Sequence, residues 1–382
     1  MTPLGVYVHW PYCARICPYC DFNVYRDRGR TDEPAALARA IEDDLAAQAA
    51  LTGPRALVSV YFGGGTPSLM APDAMGRILD RARSLWRPAA DLEVTLEANP
   101  TDAETDRFAA FAAAGVTRLS LGLQSLDDAA LTFLGRNHDA AAGRRAAVAA
   151  RRAFPRLSVD LIYARPGQTP QDWRTELAQT ADLGAEHVSP YQLTIENGTA
   201  FGRAARRGQL VTPDEDLGAD LYETTQAVLD AAGFDAYEVS NHARGEAARS
   251  RHNLVYWRGH DYVGAGPGAH GRLTRAGVRH ATVAAARPAD YIARVRDTGV
   301  GIETDEALSP VEAAEERVLM GLRIDEGVPF GEVAALGLTA DTPKVAALRE
   351  LGLLAADPGR LRATPAGRRV LDRLAAELAD GA

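Results

Sequence analysis

Six short β-rich runs, each separated from the next by a stretch of helical pattern, fill residues 1–200. They are GVYVHW (5–10), LVSVYF (57–62), LEVTLEA (92–98), VTRLSLG (116–122), LSVDLIY (157–163) and EHVSPYQL (186–193), with helical segments such as Glu33–Ala50 and Pro72–Trp86 between them. Strands that alternate with crossover helices pair in parallel, so this region predicts an α/β fold, a (β/α)6 array that is open or partly closed. The runs read as continuously apolar more than alternating, the pattern of strands covered on both faces. Residues 201–305 are less regular, with an amphipathic helix over 212–232, a short strand YEVSN (237–241) and a glycine-rich loop VGAGPGAHG (263–271). Residues 306–382 change character again: helical runs, two short extended runs around the turn DPGR (357–360), then a further helix. That layout predicts a small helical, winged-helix-like C-terminal domain. The expected organisation is a core (1–200), an accessory region (201–305) and this C-terminal domain (306–382).

The chain has three cysteines, Cys13, Cys17 and Cys20, and all lie just after the first predicted strand. Active sites of βα folds gather at the carboxyl ends of their strands. An odd count in so tight a span is no framework of long-range disulfides and suits a metal. Iron–sulfur clusters are held by thiolates, usually four. Three thiolates with no fourth anywhere leave one iron of a [4Fe-4S] cluster open. Two other readings compete: a zinc knuckle completed by His9 or Asp21, and buried cysteines acting as small hydrophobes. Zinc normally brings a second pair of ligands from elsewhere, and a polar, proline-containing loop is a poor place for core thiols. The net charge of −9 argues against a non-specific grip on nucleic acid, so the winged-helix-like region is not expected to read it. No apolar run reaches bilayer length, and MTPLGVYVHWPYC has neither a basic leader nor an apolar h-region. These features, with thiols suited to a reducing compartment, predict a cytoplasmic protein.

CxxxCxxC after a first strand is the signature of the radical S-adenosylmethionine (SAM) superfamily. Through YVHWPYC, CPYCDFN, YFGGGTPSLM, LEANP, RLSLGLQS, LGRNHD, DLIYARPGQT, YQLTIENGTAF, YEVSN, HNLVYW and GPGAHG, the chain resembles the branch holding the oxygen-independent coproporphyrinogen III dehydrogenases and the heme chaperones. The resemblance implies a partial (β/α)6 radical SAM barrel with a [4Fe-4S] cluster on Cys13, Cys17 and Cys20. It also implies SAM, whose amino and carboxylate groups chelate the open iron and whose reductive cleavage yields a 5′-deoxyadenosyl radical. SAM contacts carry over to Tyr7, Tyr19, Gly64, Gly65, Thr66, Glu97, Gln124, Arg136 and Asp160, with Thr194 and His270 as further lining residues. Glycines in Gly63-Gly64-Gly65 allow a close backbone approach that a Cβ would block, although a lone GGG is by default a tight turn. Any one of the charged residues could equally cap a helix or join a salt bridge; as a set at successive strand ends they converge on one face. The chain departs from the family at Ala164-Arg165, where Gly-Leu is usual, so a larger side chain is expected near Asp160.

Three features separate the branches. Phe22 stands where the dehydrogenases have a further cysteine, and only twelve residues precede Cys13, where they carry a longer segment. His252-Asn253-Leu254-Val255-Tyr256-Trp257 matches the HNxxYW pattern of the heme chaperones. Imidazole is a common axial ligand of heme iron. Tyr256 and Trp257 offer flat surface, and Arg249, Arg251 and Arg258 could pair with propionates. Read alone, His252 is better taken as a buried histidine satisfied by its neighbours; the full hexapeptide in this context reverses that. The resemblance therefore implies a protein that binds heme and delivers it to an acceptor protein, such as a membrane respiratory enzyme, with cluster and SAM in a supporting role. The rival is radical decarboxylation of coproporphyrinogen III to protoporphyrinogen IX. A radical methylase of another small molecule finds no extra cysteine to support it.

Overall fold

The computed structural model describes residues 1–29 and 32–380, and a single twelve-stranded sheet organises most of them. In chain order the strands are β1 (Pro3–Trp10), β2 (Ala56–Gly64), β3 (Arg87–Ala98), β4 (Arg118–Gln124), β5 (Arg156–Tyr163), β6 (His187–Gln192), β7 (Asp235–Glu238), β8 (Asn241–Ala243), β9 (Asp261–Ala265), β10 (His270–Arg275), β11 (Val278–Ala284) and β12 (Ile302–Ala307). Across the sheet they run β12-β11-β10-β9-β1-β2-β3-β4-β5-β6-β8-β7. Strands β1 to β6 are parallel in sequence order, joined by helices that include α1 (Asp32–Thr52), α2 (Pro72–Leu85), α3 (Phe108–Ala113), α4 (Ala140–Ala153) and α5 (Pro170–Ala181). This is the α/β arrangement of six parallel strands and crossover helices that the strand spacing predicts, and it agrees with the partial barrel that the resemblance implies. Helix α6 (Glu215–Ala231) leads into β7 and β8, which extend the sheet antiparallel beyond β6. On the other edge β9 pairs parallel with β1, and β10 to β12 continue antiparallel. The glycine-rich loop and YEVSN thus begin and end strands of the same sheet.

The strands are not continuously apolar; they alternate. Leu4, Val6, Val8 and Trp10 of β1 join the buried apolar cluster, as do Val94 and Leu96 of β3, Leu119 and Leu121 of β4, and Val159 and Leu161 of β5. Successive side chains of a strand point to opposite faces. The intervening residues, among them Tyr7, His9, Ser59, Tyr61, Glu97 and Asp160, therefore fill the other face, the lumen of the partial barrel. The difference from the sequence reading has a simple cause. Tyr, Ser, Thr and Gly at the inward positions have β-compatible, weakly polar side chains that blur into an apolar run when hydropathy alone is read.

Ala164-Arg165 after β5 has a clear local solution. Ala164 sits at φ +58°, a left-handed conformation that favours glycine. Arg165 does not crowd Asp160. It is 7 % exposed, pairs with Glu176 of α5 at 2.6 Å and donates to Ser125 Oγ at 2.7 Å, which ties the loop after β4 to α5.

The last part of the chain builds its own core from Val318, Leu322, Val328, Val345, Leu361, Leu374 and Leu378. Val328–Pro329 pairs antiparallel with Arg360–Leu361, and Leu354 bridges Ala363 across the DPGR turn, with helices Pro365–Arg369 and Leu371–Ala379 following. Ion pairs dock this unit on the sheet: Arg323 to Glu238 (2.6 Å) and Asp325 to Arg249 (2.8 Å).

Ala164→Gly should stabilise the protein by about 0.5–1 kcal/mol, because relief of the left-handed strain outweighs the added freedom of the unfolded chain. Differential scanning calorimetry should show a small rise in the melting temperature.

Candidate functional site

The carboxyl ends of β2 to β6 open into one cavity of about 1100 Å³. Its lining includes Cys13, Cys17 and Cys20, the Gly64–Pro67 segment, Glu97, Gln124, Arg136 and Asp160, together with Tyr19 and Thr194. Nearly all the residues singled out from the sequence meet here. Two stand apart. Tyr7 lies in the lumen beneath the cavity, with its hydroxyl 3.1 Å from His9 Nδ1, and His270 is exposed at the start of β10.

The cysteine loop leaves β1 and is held at both ends. Tyr12–Cys13 pairs with Tyr25–Arg26, with Pro11 O accepting from Tyr25 N and Cys13 O from Asp27 N, both at 2.8 Å. Asn23 closes the loop: its carbonyl lies 2.9 Å from His9 Nε2, and its amide donates to the carbonyls of Pro267 and Ala286. The glycine-rich loop after β9 makes this closure possible. A Cβ on Gly266 would come within 2.3 Å of the His9 carbonyl oxygen, and one on Gly268 within 2.5 Å of Asn23. The GGG segment packs on the cysteine loop from the other side, where Gly65 N donates to Trp10 O and Thr66 N to Tyr12 O. Both glycine clusters thus seat the loop through backbone proximity, in addition to any contact with a ligand.

Charge is arranged around the thiols. Arg136 donates to Cys17 Sγ at 3.3 Å and to Gly122 O at 3.1 Å, and also bonds Asn99. Burial, reinforced by the neighbouring thiols, pushes the Cys13 thiol up to about 11, against the pull of Thr66 and Arg136. Without a metal that thiol keeps its proton at neutral pH, and metal binding releases it. Glu97 accepts from Tyr61 Oη at 2.8 Å and from Gly64 N at 3.1 Å. Burial and the nearby Asp160 raise it to about 7 in spite of these bonds. Gln124 adopts φ +63° at the end of β4, and its buried Oε1 has no protein partner, nor has the buried Arg136 Nε. Unsatisfied buried polar atoms carry a cost and call for a partner. Here they line a cavity, so a polar ligand meets that need.

The zinc alternative fits poorly. Both nitrogens of His9 are engaged, by Tyr7 and by Asn23. Among the described residues no three His, Cys, Asp or Glu side chains gather closely enough to ligate one ion. The thiolates of an iron–sulfur cluster each bind a different iron and do not require that convergence.

The HNxxYW segment lies elsewhere. It forms α7 (Arg251–Trp257), and none of its residues lines the cavity. His252 is 1 % exposed, with Nδ1 2.9 Å from Ser59 Oγ and Nε2 2.6 Å from Tyr256 Oη. The arginines expected to meet propionates have carboxylate partners: Arg249 with Asp325, Arg251 with Asp91 and Arg258 with Glu326.

Sequence patterns match two family models: the radical SAM superfamily over residues 7–178 and the HemN C-terminal domain over residues 308–370. The heme chaperone HemW of Mycobacterium tuberculosis is 39% identical, with 97% of this chain and 93% of that protein aligned. This chain is a HemW/HemN-like radical SAM protein. The mitochondrial radical S-adenosyl methionine domain-containing protein 1 of Bos taurus is 42% identical over 97% of this chain and 86% of its own length. Coproporphyrinogen III oxidase (HemN) from Escherichia coli shares the fold, with a TM-score of 0.79 over 98% of this chain and 90% of that one, at 22% identity. Membership in the radical SAM family implies a [4Fe-4S] cluster and SAM, and the three thiols beside a cavity with orphaned polar groups fit both. When bound, the cluster supplies an electron for cleaving the sulfonium of SAM. In this cavity the chain gathers the three thiols, sets Arg136 against Cys17 and turns Glu97, Gln124 and Asp160 toward the lining.

Several lining residues escaped the sequence reading. Tyr61 is the clearest: it stands two positions before Gly63, on the inward alternation of β2, which is the signal that would have found it. Arg323, Arg368, Arg369 and Arg373 also line the cavity, and all come from the C-terminal unit.

Cys13→Ser, Cys17→Ser and Cys20→Ser should each lose the charge-transfer absorbance of the anaerobically reconstituted protein. Asp21→Asn, a ligand only in a zinc knuckle, should keep it.

Proposed function

We propose that this protein carries heme to an acceptor protein, with the cluster and SAM in the floor of the cavity and the macrocycle at its mouth. One observation carries the reading. The cavity, of about 1100 Å³, has an amphipathic lining. Ile16, Phe22, Tyr191 and Val370 are exposed apolar side chains, with Phe22 64 % exposed, and all line this cavity. Arg368 and Arg373, neither of them ion-paired to a carboxylate among the described residues, line it too, beside Arg323 and Arg369, which pair with Glu238 and Glu223. A flat apolar ring with carboxylate arms matches that combination of surfaces, since guanidinium groups bind carboxylates by paired, charge-assisted hydrogen bonds. Phe22 supports the same reading by giving the rim an apolar surface where the dehydrogenases have a cysteine. The name of the heme chaperone relatives in Mycobacterium tuberculosis and Escherichia coli points the same way.

His252 remains the axial ligand that the family pattern suggests, but reaching it requires α7 to open. Its backbone N–H and that of Arg251 donate to Glu93, and both ring nitrogens are engaged inside the lumen. The mouth carries no such cost, and we assign the first contact with heme to it.

Anaerobic titration with hemin, followed by the Soret band, tests the assignment. Arg368→Ala combined with Arg373→Ala should weaken binding at least about tenfold, the loss of one or more charge-assisted bonds. An unchanged titration in that variant would reject the mouth as the docking site, and a band lost only in His252→Ala would move the site to α7. Formation of protoporphyrinogen from coproporphyrinogen III at catalytic rates, with SAM and reductant, would replace the carrier reading by the enzymatic one.

A further inference from the structure

We propose that His252 is a positioning residue for the SAM pocket: through Tyr61 it aims the carboxylate of Glu97 into the cavity. The inference rests on the cavity being the SAM site and is independent of heme transfer.

The chain of contacts is continuous. Glu93 receives the first N–H groups of α7, at 3.1 Å from His252 N and 3.2 Å from Arg251 N, and Ser250 Oγ accepts from Asn253 N. This fixes the helix beneath the lumen. The imidazole is then held at both nitrogens, by Ser59 of β2 and by Tyr256 one turn along α7. Burial lowers its pKa to about 3, so it is neutral throughout the working range and can serve as a stacking plane without a charge to solvate. Its ring lies against Tyr61, with centroids 4.8 Å apart and planes 24° from parallel. Tyr7 flanks Tyr61 on another side at 6.1 Å, and a Cβ on Gly63 would stand 2.8 Å from the Tyr61 ring. Tyr61 is thus confined by His252, Tyr7 and the backbone at Gly63. Its hydroxyl has one direction left, toward Glu97 Oε1. Gly64 N fixes the other carboxylate oxygen, so Glu97 is held at two points on the floor of the cavity.

The histidine of the HNxxYW pattern therefore has a role in the closed structure that needs no heme. Removing the ring would leave a space beside Tyr61, and the phenol could turn away from Glu97. That change has a chemical signature. Around Glu97 stand Tyr7 from β1, Tyr61 from β2, Asp160 from β5, Tyr191 from β6 and Tyr256 from α7. Burial raises the pKa of Tyr7, Tyr61, Asp160 and Tyr256, so these tyrosines stay neutral, while Tyr191 opens onto the cavity. Ionised Glu97 accepts hydrogen bonds from a ligand hydroxyl; protonated Glu97 has lost part of that capacity. SAM affinity should then rise with pH through about 7, where Glu97 titrates. A donor to a carboxylate favours its charged form. Taking away the Tyr61 hydroxyl, or letting it swing off, moves this midpoint upward.

The test uses full-length protein with its cluster reconstituted anaerobically, no heme added, and SAM binding measured by calorimetry from pH 5.5 to 8.5. Tyr61→Phe and His252→Ala should each weaken SAM binding at pH 7 roughly tenfold and raise the midpoint by about 0.5–1 unit. The double variant should be no worse than the more damaging single one, because both cut the same chain. Wild-type affinity in either single variant, losses that add, or weaker binding with an unmoved midpoint would each overturn the proposal. Where His252→Ala does not fold, His252→Gln is read in its place, since it keeps polar reach toward Ser59 and Tyr256 but lacks the ring face. Failure of the unmodified protein to bind SAM would instead reject the pocket itself, which separates the two results.

Discussion

Glu93 and His252 are buried, and Glu97, Asp160 and Tyr61 half-buried, inside a sheet whose outer face is largely apolar, and their hydrogen bonds are what make that placement tolerable. An unpaired polar group in such a place costs about 1–3 kcal/mol, and an unpaired charge more. Ser120 answers Asp160, Tyr61 and Gly64 answer Glu97, and Arg156 with the first turn of α7 answers Glu93. The lumen is therefore one connected network, closed below by α7 and open above at the cavity. Unsatisfied atoms remain at its open end, at Gln124 and Arg136, and deeper in the lumen, at Thr95 Oγ1 and Arg118 Nε. The orphaned atoms that a bound ligand could reach are those at the open end, where Gln124 and Arg136 line the cavity.

The cysteine loop depends on that network from the side. His9 belongs to the lumen by its ring and to the loop by its bond to the Asn23 carbonyl. The glycines at 63–65 and 266–268 let backbone approach backbone around it. The C-terminal unit then completes the wall of the cavity with arginines, so residues more than three hundred positions apart share one surface. A chamber of this kind cannot be understood from the parallel strands alone.

Much of this was legible in the sequence, and what was not has identifiable causes. Strand and helix positions in the core followed from the periodicity, and the cysteine loop and the strand-end residues at 64–66, 97, 124, 136 and 160 could be placed on one rim because parallel strands all end there. The lumen was misread because Tyr, Ser and Gly at alternate positions look apolar in bulk. Tyr61 went unnoticed for that reason. The arginine wall was invisible because nothing local links Arg368 or Arg373 to the barrel; only the docking of the last domain does so. His252 shows the opposite limit. A motif indicated that the residue matters, but its burial and both hydrogen bonds depend on Ser59, nearly two hundred residues earlier. The left-handed turn at Ala164 explains why glycine is usual there, a matter of backbone sterics that residue identity alone could not settle.

The pairing of β9 with β1 has an effect on how the molecule breathes. It places the strand that carries the cysteine loop in the interior of the sheet, with parallel neighbours on both sides. Amide groups in such a strand exchange with solvent only through large-scale opening, whereas loop segments open locally. Loss or damage of an iron–sulfur group would consequently be an event confined to Cys13–Asn23, while the strand beneath stays locked as an intact template for rebuilding it.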